Sequence, residues 1–140
     1  MRYMTDTEKL KKLNNRSEFN KYNGIVVTQA DGGTAVVETV LCPNSMNPWG
    51  SAHGGLIFAM CDVAAGVAAS DVGGPCVTQS GNIYFLRPAA GTKLRAVGTV
   101  IKRGKTVSVV ETKVFSDADE LVSAGQFEYF HTGKKIKDLD

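Results

Sequence analysis

Over residues 54–70 the chain reads GGLIFAMCDVAAGVAAS, with Asp62 the one charged position in an otherwise apolar, glycine, cysteine or serine run. No polar face recurs at helical spacing, so the run predicts a helix buried on most of its sides. Gly73-Gly74-Pro75 is its stop signal. On either side the pattern changes to short runs rich in β-branched and aromatic residues, at 25–29, 34–41, 76–86, 93–103, 106–116 and 121–130. The first two flank Asp31-Gly32-Gly33 and read as a hairpin. The last four are separated by turn residues at 87–91, 103–105 and 117–120, which predicts consecutive antiparallel strands. Upstream, residues 5–19 predict one short amphipathic helix, capped by Thr5 or Asp6, with Glu8 in its first turn and Leu10 and Leu13 three apart. The end, 132–140, is charged and is expected to fray. The order predicts a single α+β domain over 1–140, one long helix against a mostly antiparallel sheet.

Composition narrows the function classes. The chain has 140 residues, 43% apolar and 21% charged, enough for one core of an ordinary globular protein. A net charge of +2, without basic and aromatic residues interleaved, gives no reason to expect a nucleic-acid partner. The longest apolar run, 56–69, is shorter than a membrane span and contains Asp62. The N-terminal stretch MRYMTDTEKLKKLNNRSEF lacks the apolar core of a signal peptide. Cys42, Cys61 and Cys76 are odd in number and not in CxxC spacing, so they read as reduced thiols and not as metal ligands. The expected location is the cytoplasm.

The chemistry begins with Asp62. Burying an isolated ionised carboxylate is costly unless it is paired or hydrogen-bonded, and folding alone would be served by alanine or leucine. Just upstream, Asn47-x-x-Gly50-x-x-His53-Gly54-Gly55 leads into the helix. Backbone N–H groups at a helix start are unpaired and sit at the positive end of its dipole, and glycines let a substrate come close to them. That end suits a carbonyl oxygen, and Asp62 suits a general base toward water or a nucleophile, so an acyl-transfer site is expected. Gly54 and Asp62 are eight residues apart, roughly 12 Å along a helix. An aspartate cannot span that on its own helix to reach a carbonyl held at Gly54. The two groups are therefore expected to meet across a two-fold dimer with antiparallel helices.

The spacing Asn47-x-x-Gly50-x-x-His53-Gly54-Gly55-x6-Asp62, with NIYFLRPA at 82–89 and KRGKTVSVVE at 102–111, resembles the hotdog-fold acyl-CoA thioesterases of the phenylacetic-acid-degradation (PaaI-like) type. The likeness runs over about 19–130. It implies a curled antiparallel sheet wrapped around one long central helix, with dimers as catalytic units that pair into tetramers. It implies that Asp62 is base or nucleophile, that the Gly54 N–H beside Gly55 holds the thioester oxygen, and that Asn47 and Thr78 place substrate and water. Substrates would be small aryl- or medium-chain acyl-CoA thioesters, with no metal and no cofactor beyond the coenzyme A of the substrate itself.

Other residues carry competing readings. His53 organises the loop or titrates in catalysis. Arg103-Gly104-Lys105 is a solvated turn or a grip on the phosphates of coenzyme A. Thr78, Ser80 and Asn82 alternate, which predicts one shared strand face. Trp49 reads as a loop packing residue and His131 as a bystander. Two other classes stay open: a non-catalytic acyl-CoA-binding regulator, and a hydroxyacyl-thioester dehydratase, which would want a histidine deep in its site.

Overall fold

The computed structural model describes residues 5–134, and among these six strands form one antiparallel sheet curled about a single long helix. In chain order the elements are α1 (Asp6–Asn15), α2 (Glu18–Tyr22), β1 (Val26–Asp31), β2 (Thr34–Val40), a 3-10 turn (Pro43–Ser45), α3 (Gly54–Gly73), β3 (Cys76–Phe85), β4 (Lys93–Lys102), β5 (Val107–Ser116) and β6 (Leu121–His131). The expected fraying at 132–140 lies, beyond Lys134, outside the described residues.

Each predicted strand is present, and the β1–β2 hairpin forms as expected. The strand order does not follow the chain. It runs β1-β2-β4-β5-β6-β3, so β2 pairs with β4, and β3 pairs with β6 at the far edge. The expected run of four consecutive strands therefore holds only from β4 to β6. The connection at 86–92, with Pro88 and a positive-φ Gly91, is no tight hairpin, and it carries the chain across to β2. The helix predicted over 5–19 is two helices. Ser17 is extended and accepts the Asn20 N–H at 3.2 Å, which starts a second helix where the first would have continued.

α3 carries the core. Leu56, Ile57, Met60, Cys61, Ala64, Ala65, Ala68 and Ala69 form one buried stripe against alternate inward residues of the sheet, among them Val37, Leu94, Val110, Val114 and Phe127. Alanine suits this stripe because the helix lies close to β4: a Cβ placed on Gly98 would come within 2.8 Å of the Ala64 backbone. Full burial is thus confined to one side of α3, the rest being half-buried except at Gly55, Phe58, Ser70 and Asp71. The front, with Phe58 39% exposed and Asp62, Val63, Gly66 and Val67 half-buried, is only partly covered by its own sheet. By length and composition the helix could cross a membrane, yet its buried stripe is spent on the sheet.

The α1–α2 corner is fastened to the β1 edge. Thr5 and Glu8 cap α1 reciprocally. The Asn14 amide accepts the Val27 N–H at 2.8 Å and donates to the Val27 carbonyl at 2.9 Å, so a side chain occupies the outward backbone groups there. Lys9 meets Asp71 near the end of α3 at 2.9 Å, and Asp71 also accepts the Gly33 N–H at 3.1 Å.

Candidate active site

Asp62 is half-buried on the front of α3. Its Oδ1 accepts from the Thr78 hydroxyl at 2.7 Å and from the Tyr129 hydroxyl at 2.6 Å. The Tyr129 oxygen is also 2.6 Å from the Asp62 carbonyl, so one phenolic proton serves two acceptors of the same residue. Oδ2 takes no hydrogen bond among the described residues. Tyr129 is 2% exposed. Burial, and then its bond to the Asp62 carboxylate, push its ionisation far above the ordinary tyrosine range, so it stays a neutral donor. Burial also pushes the Cys61 and Cys76 thiols up to about 11, with the charge of Asp62 adding to it. These thiols are no nucleophiles at neutral pH.

Strand register explains how Thr78 arrives. Thr78 stands opposite Tyr129, and the pairing slips by one residue between Thr78 and Ser80. Thr78 thus shares the helix-facing side with Gly81 and Ile83, whose partners are Phe127 and Gly125, while Ser80 and Asn82 fall on the other side. The shared face expected for Thr78, Ser80 and Asn82 is corrected accordingly: the bulge at Gln79 separates the first from the other two.

The start of α3 is built separately. His53 is its N-cap: Nδ1 accepts the Gly55 N–H at 2.8 Å, and the His53 carbonyl accepts the Leu56 and Ile57 N–H groups at 3.0 and 3.2 Å. The Gly54 N–H is left without an acceptor among the described residues. Asn47 shapes the preceding turn, donating to Ser51 Oγ at 2.9 Å and accepting the Trp49 and Ser51 N–H groups at 2.9 and 3.1 Å. The Phe85 ring lies over Gly54, 3.3 Å from where a Cβ would stand.

These groups fall into two clefts. One, of about 730 Å³, is lined by Asp62, Thr78 and Tyr129 with Val63, Val67, Pro75 and Val77. The other, of about 440 Å³, is lined by Asn47, Gly54, Phe85 and Arg87. Arg103, Gly104 and Lys105 line neither and form the β4–β5 turn, where the Gly104 N–H reaches Ser108 Oγ at 3.4 Å. Ser108 in turn meets His131 Nε2 at 2.7 Å, and His131 Nδ1 lies 3.3 Å from the Gly74 carbonyl. His131 therefore ties β5, β6 and the end of α3 together, a structural role beside the chemistry. Among the described residues no three His, Cys, Asp or Glu side chains are grouped to hold a metal ion.

Tyr129 was missed from the sequence. Alternation along β6 places Phe127, Tyr129 and His131 on one face, and a buried tyrosine hydroxyl needs a partner. The lone acid on the apolar helix was the partner to look for.

The family model described as "Thioesterase superfamily" matches residues 50–123. The acyl-coenzyme A thioesterase PaaI of Escherichia coli strain K12 is 32% identical over 101 residues, 71% of this chain and 72% of the relative. The solved structure of the E. coli PaaI protein from the phenylacetic acid degradation operon superimposes with a TM-score of 0.81 at 25% identity, covering 91% of this chain and 99% of that one. A Streptococcus mutans UA159 protein, smu.793, solved with acetyl CoA bound, gives a TM-score of 0.75 at 29% identity over 80% of this chain and 91% of that one.

Proposed function

The chain belongs to the thioesterase superfamily, as a PaaI-like hotdog thioester hydrolase, and from that premise we propose that it cleaves small aryl- or medium-chain acyl-CoA thioesters to the free acid and coenzyme A. Asp62 carries this reading: one carboxylate oxygen is held by Thr78 and Tyr129, and the other is unengaged on a residue that lines a cleft. Two fixed donors on one oxygen orient the second, which a general base or nucleophile requires.

In this reaction the thioester oxygen accepts the Gly54 N–H, the free donor at the positive end of α3. Asp62 takes a proton from water as the water oxygen bonds to the acyl carbon, or attacks that carbon itself to give a mixed anhydride that water then opens. The carbon–sulfur bond breaks and the coenzyme A thiolate leaves. A thioester is already activated toward attack, so this chemistry calls for no metal or redox cofactor. Asn47 holds the turn at 47–51 and His53 caps the helix start at Gly54–Gly55, and Arg103 and Lys105 face the coenzyme A phosphates.

The site is shared between two chains. Gly54 and Asp62 line different clefts of one chain and are eight residues apart on one helix, roughly 12 Å. β3 ends the sheet with its outer edge unpaired among the described residues, and Val77, Tyr84 and Phe85 are exposed along it. A second copy added there, with its α3 antiparallel, brings its Gly54 toward this Asp62 and covers the apolar helix front. Two such dimers make a tetramer, and the protein works in the cytoplasm.

The test is thiol release from a panel of aryl- through long-chain acyl-CoAs, with wild type and Asp62→Asn side by side. The expected result is turnover by wild type that falls on the order of a hundredfold in the variant. No thiol release by wild type from any ester, or turnover that survives the substitution, would overturn the proposal.

A further inference from the structure

The larger cleft has a floor and two unlike walls. Its floor is the half-buried face of α3 from Asp62 to Ser70, and one wall is the start of β3. The other wall comes from the α1–α2 corner, which contributes Arg16 and Asn20. Several polar side chains of that corner are engaged, Lys9 with Asp71, Asn14 with Val27 and Lys21 with Glu18, and none of these lines the cleft. The Arg16 guanidinium and the Asn20 side-chain amide have no partner among the described residues. Their backbones are nevertheless pinned, Arg16 by its N–H on the Leu13 carbonyl and Asn20 by its N–H on Ser17. Asp62 and Arg16 are the charged residues that line the cleft, and Val63, Val67 and Val77 line it with them.

Resting on the thioesterase reading, we infer that Arg16 and Asn20 recognise a carboxylate at the far end of the acyl group, so that the favoured substrate is an acyl-CoA with a short apolar body and an anionic tip. A guanidinium presents a planar fork of donors that matches a carboxylate two bonds at a time, and the Asn20 amide adds another donor. The valines suit the methylene body. A plain alkyl end offers the guanidinium nothing. The phosphates of coenzyme A are the other anions in such a substrate, but from Asp62 to Ser70 the floor runs only roughly 12 Å along α3. With the carbonyl at Asp62, the long pantetheine arm carries the phosphates past that length.

The experiment compares kcat/KM within pairs of equal carbon count, glutaryl-CoA against pentanoyl-CoA and adipyl-CoA against hexanoyl-CoA, for wild type, Arg16→Met and Arg16→Lys. The expected ratio in wild type favours the carboxylated member by about tenfold or more, the scale of a hydrogen bond to a charged group. Arg16→Met collapses the ratio toward one, and Arg16→Lys keeps part of it. A wild-type ratio of one, or a ratio unmoved in Arg16→Met even where both esters slow together, would overturn the inference; the latter is the signature of a contact to coenzyme A itself. Hydrolysis of the plain esters with no preference removes only this inference, whereas no hydrolysis of any ester removes the thioesterase reading with it.

Discussion

Thr78 on β3 and Tyr129 on β6 stand directly opposite each other and close on the same carboxylate oxygen of Asp62, at 2.7 and 2.6 Å. Neither belongs to the helix that bears the acid, so the carboxylate is aimed by the sheet. Tyr129→Phe keeps the ring in its buried place and removes one donor from the carboxylate and from the Asp62 carbonyl. The expected outcome is a kcat lowered by about tenfold, with KM little changed, and a loss of about 1–3 kcal/mol of stability for the polar groups left unpaired. Steady-state kinetics and thermal melting of the same preparation check both.

The proposed two-chain site can be tested by mixing. Gly54 is the first residue of α3, and His53 before it is already at φ −61 and ψ 133, the backbone a residue preceding proline adopts. Gly54→Pro therefore removes the N–H at the helix position where proline is best tolerated. Alone it should cost on the order of a hundredfold or more in kcat, as for loss of an oxyanion donor. Mixed with Asp62→Asn under conditions that exchange subunits, it should regain activity. One site of each mixed dimer then carries both lesions and the other carries none. If the mixture is no more active than its two components, the site is not shared.

The bond from Lys9, more than the Gly33 N–H, holds the Asp71 carboxyl below the usual aspartate range. A carboxylate depressed in the folded state stabilises above its unfolded value and loses that contribution as pH falls through its folded value. Asp71→Asn should thus be less stable than wild type at pH 7, by about 1 kcal/mol or less for so exposed a pair. The gap should persist down to about pH 4, near the unfolded aspartate value, and close below it. Urea melts of both proteins across that range test the sign.

At Gly98 the helix leaves no room for a methyl group, since a Cβ there would stand 2.8 Å from the Ala64 backbone. Backbone cannot step aside as a flexible side chain can. Gly98→Ala should cost about 1–3 kcal/mol by overpacking. A melting temperature equal to wild type would mean that α3 moves off the sheet freely.

Much of this architecture was legible in the residues, and the illegible parts have a common cause. α3, the β1–β2 hairpin and the turns between strands follow from local periodicity and turn chemistry, which a short window contains. The place of β3 beside β6 is a long-range choice among free sheet edges, and nothing near residue 76 encodes it. The bulge at Gln79 is one residue of slip in a strand whose alternation reads as regular, so Thr78 was grouped with Ser80 and Asn82. The site divides the same way. Asp62 and Gly54 stand out because their surroundings do not explain them. Tyr129 looks like any strand aromatic until its register against Asp62 is known.

The two edges of the sheet are unlike. At the β1 edge the Asn14 amide already occupies the outward N–H and carbonyl of Val27, with α1 laid alongside. At the β3 edge the ladder is open. A sheet with two open edges can add copies at both ends and grow into a fibre. Here β3 is the more open of the two edges, and in the proposed dimer a copy that joins through its own β3 would use up the partner's free edge together with its own. If two copies pair through β3, further growth along the sheet would have to start at β1, where α1 and the Asn14 amide already occupy the Val27 position.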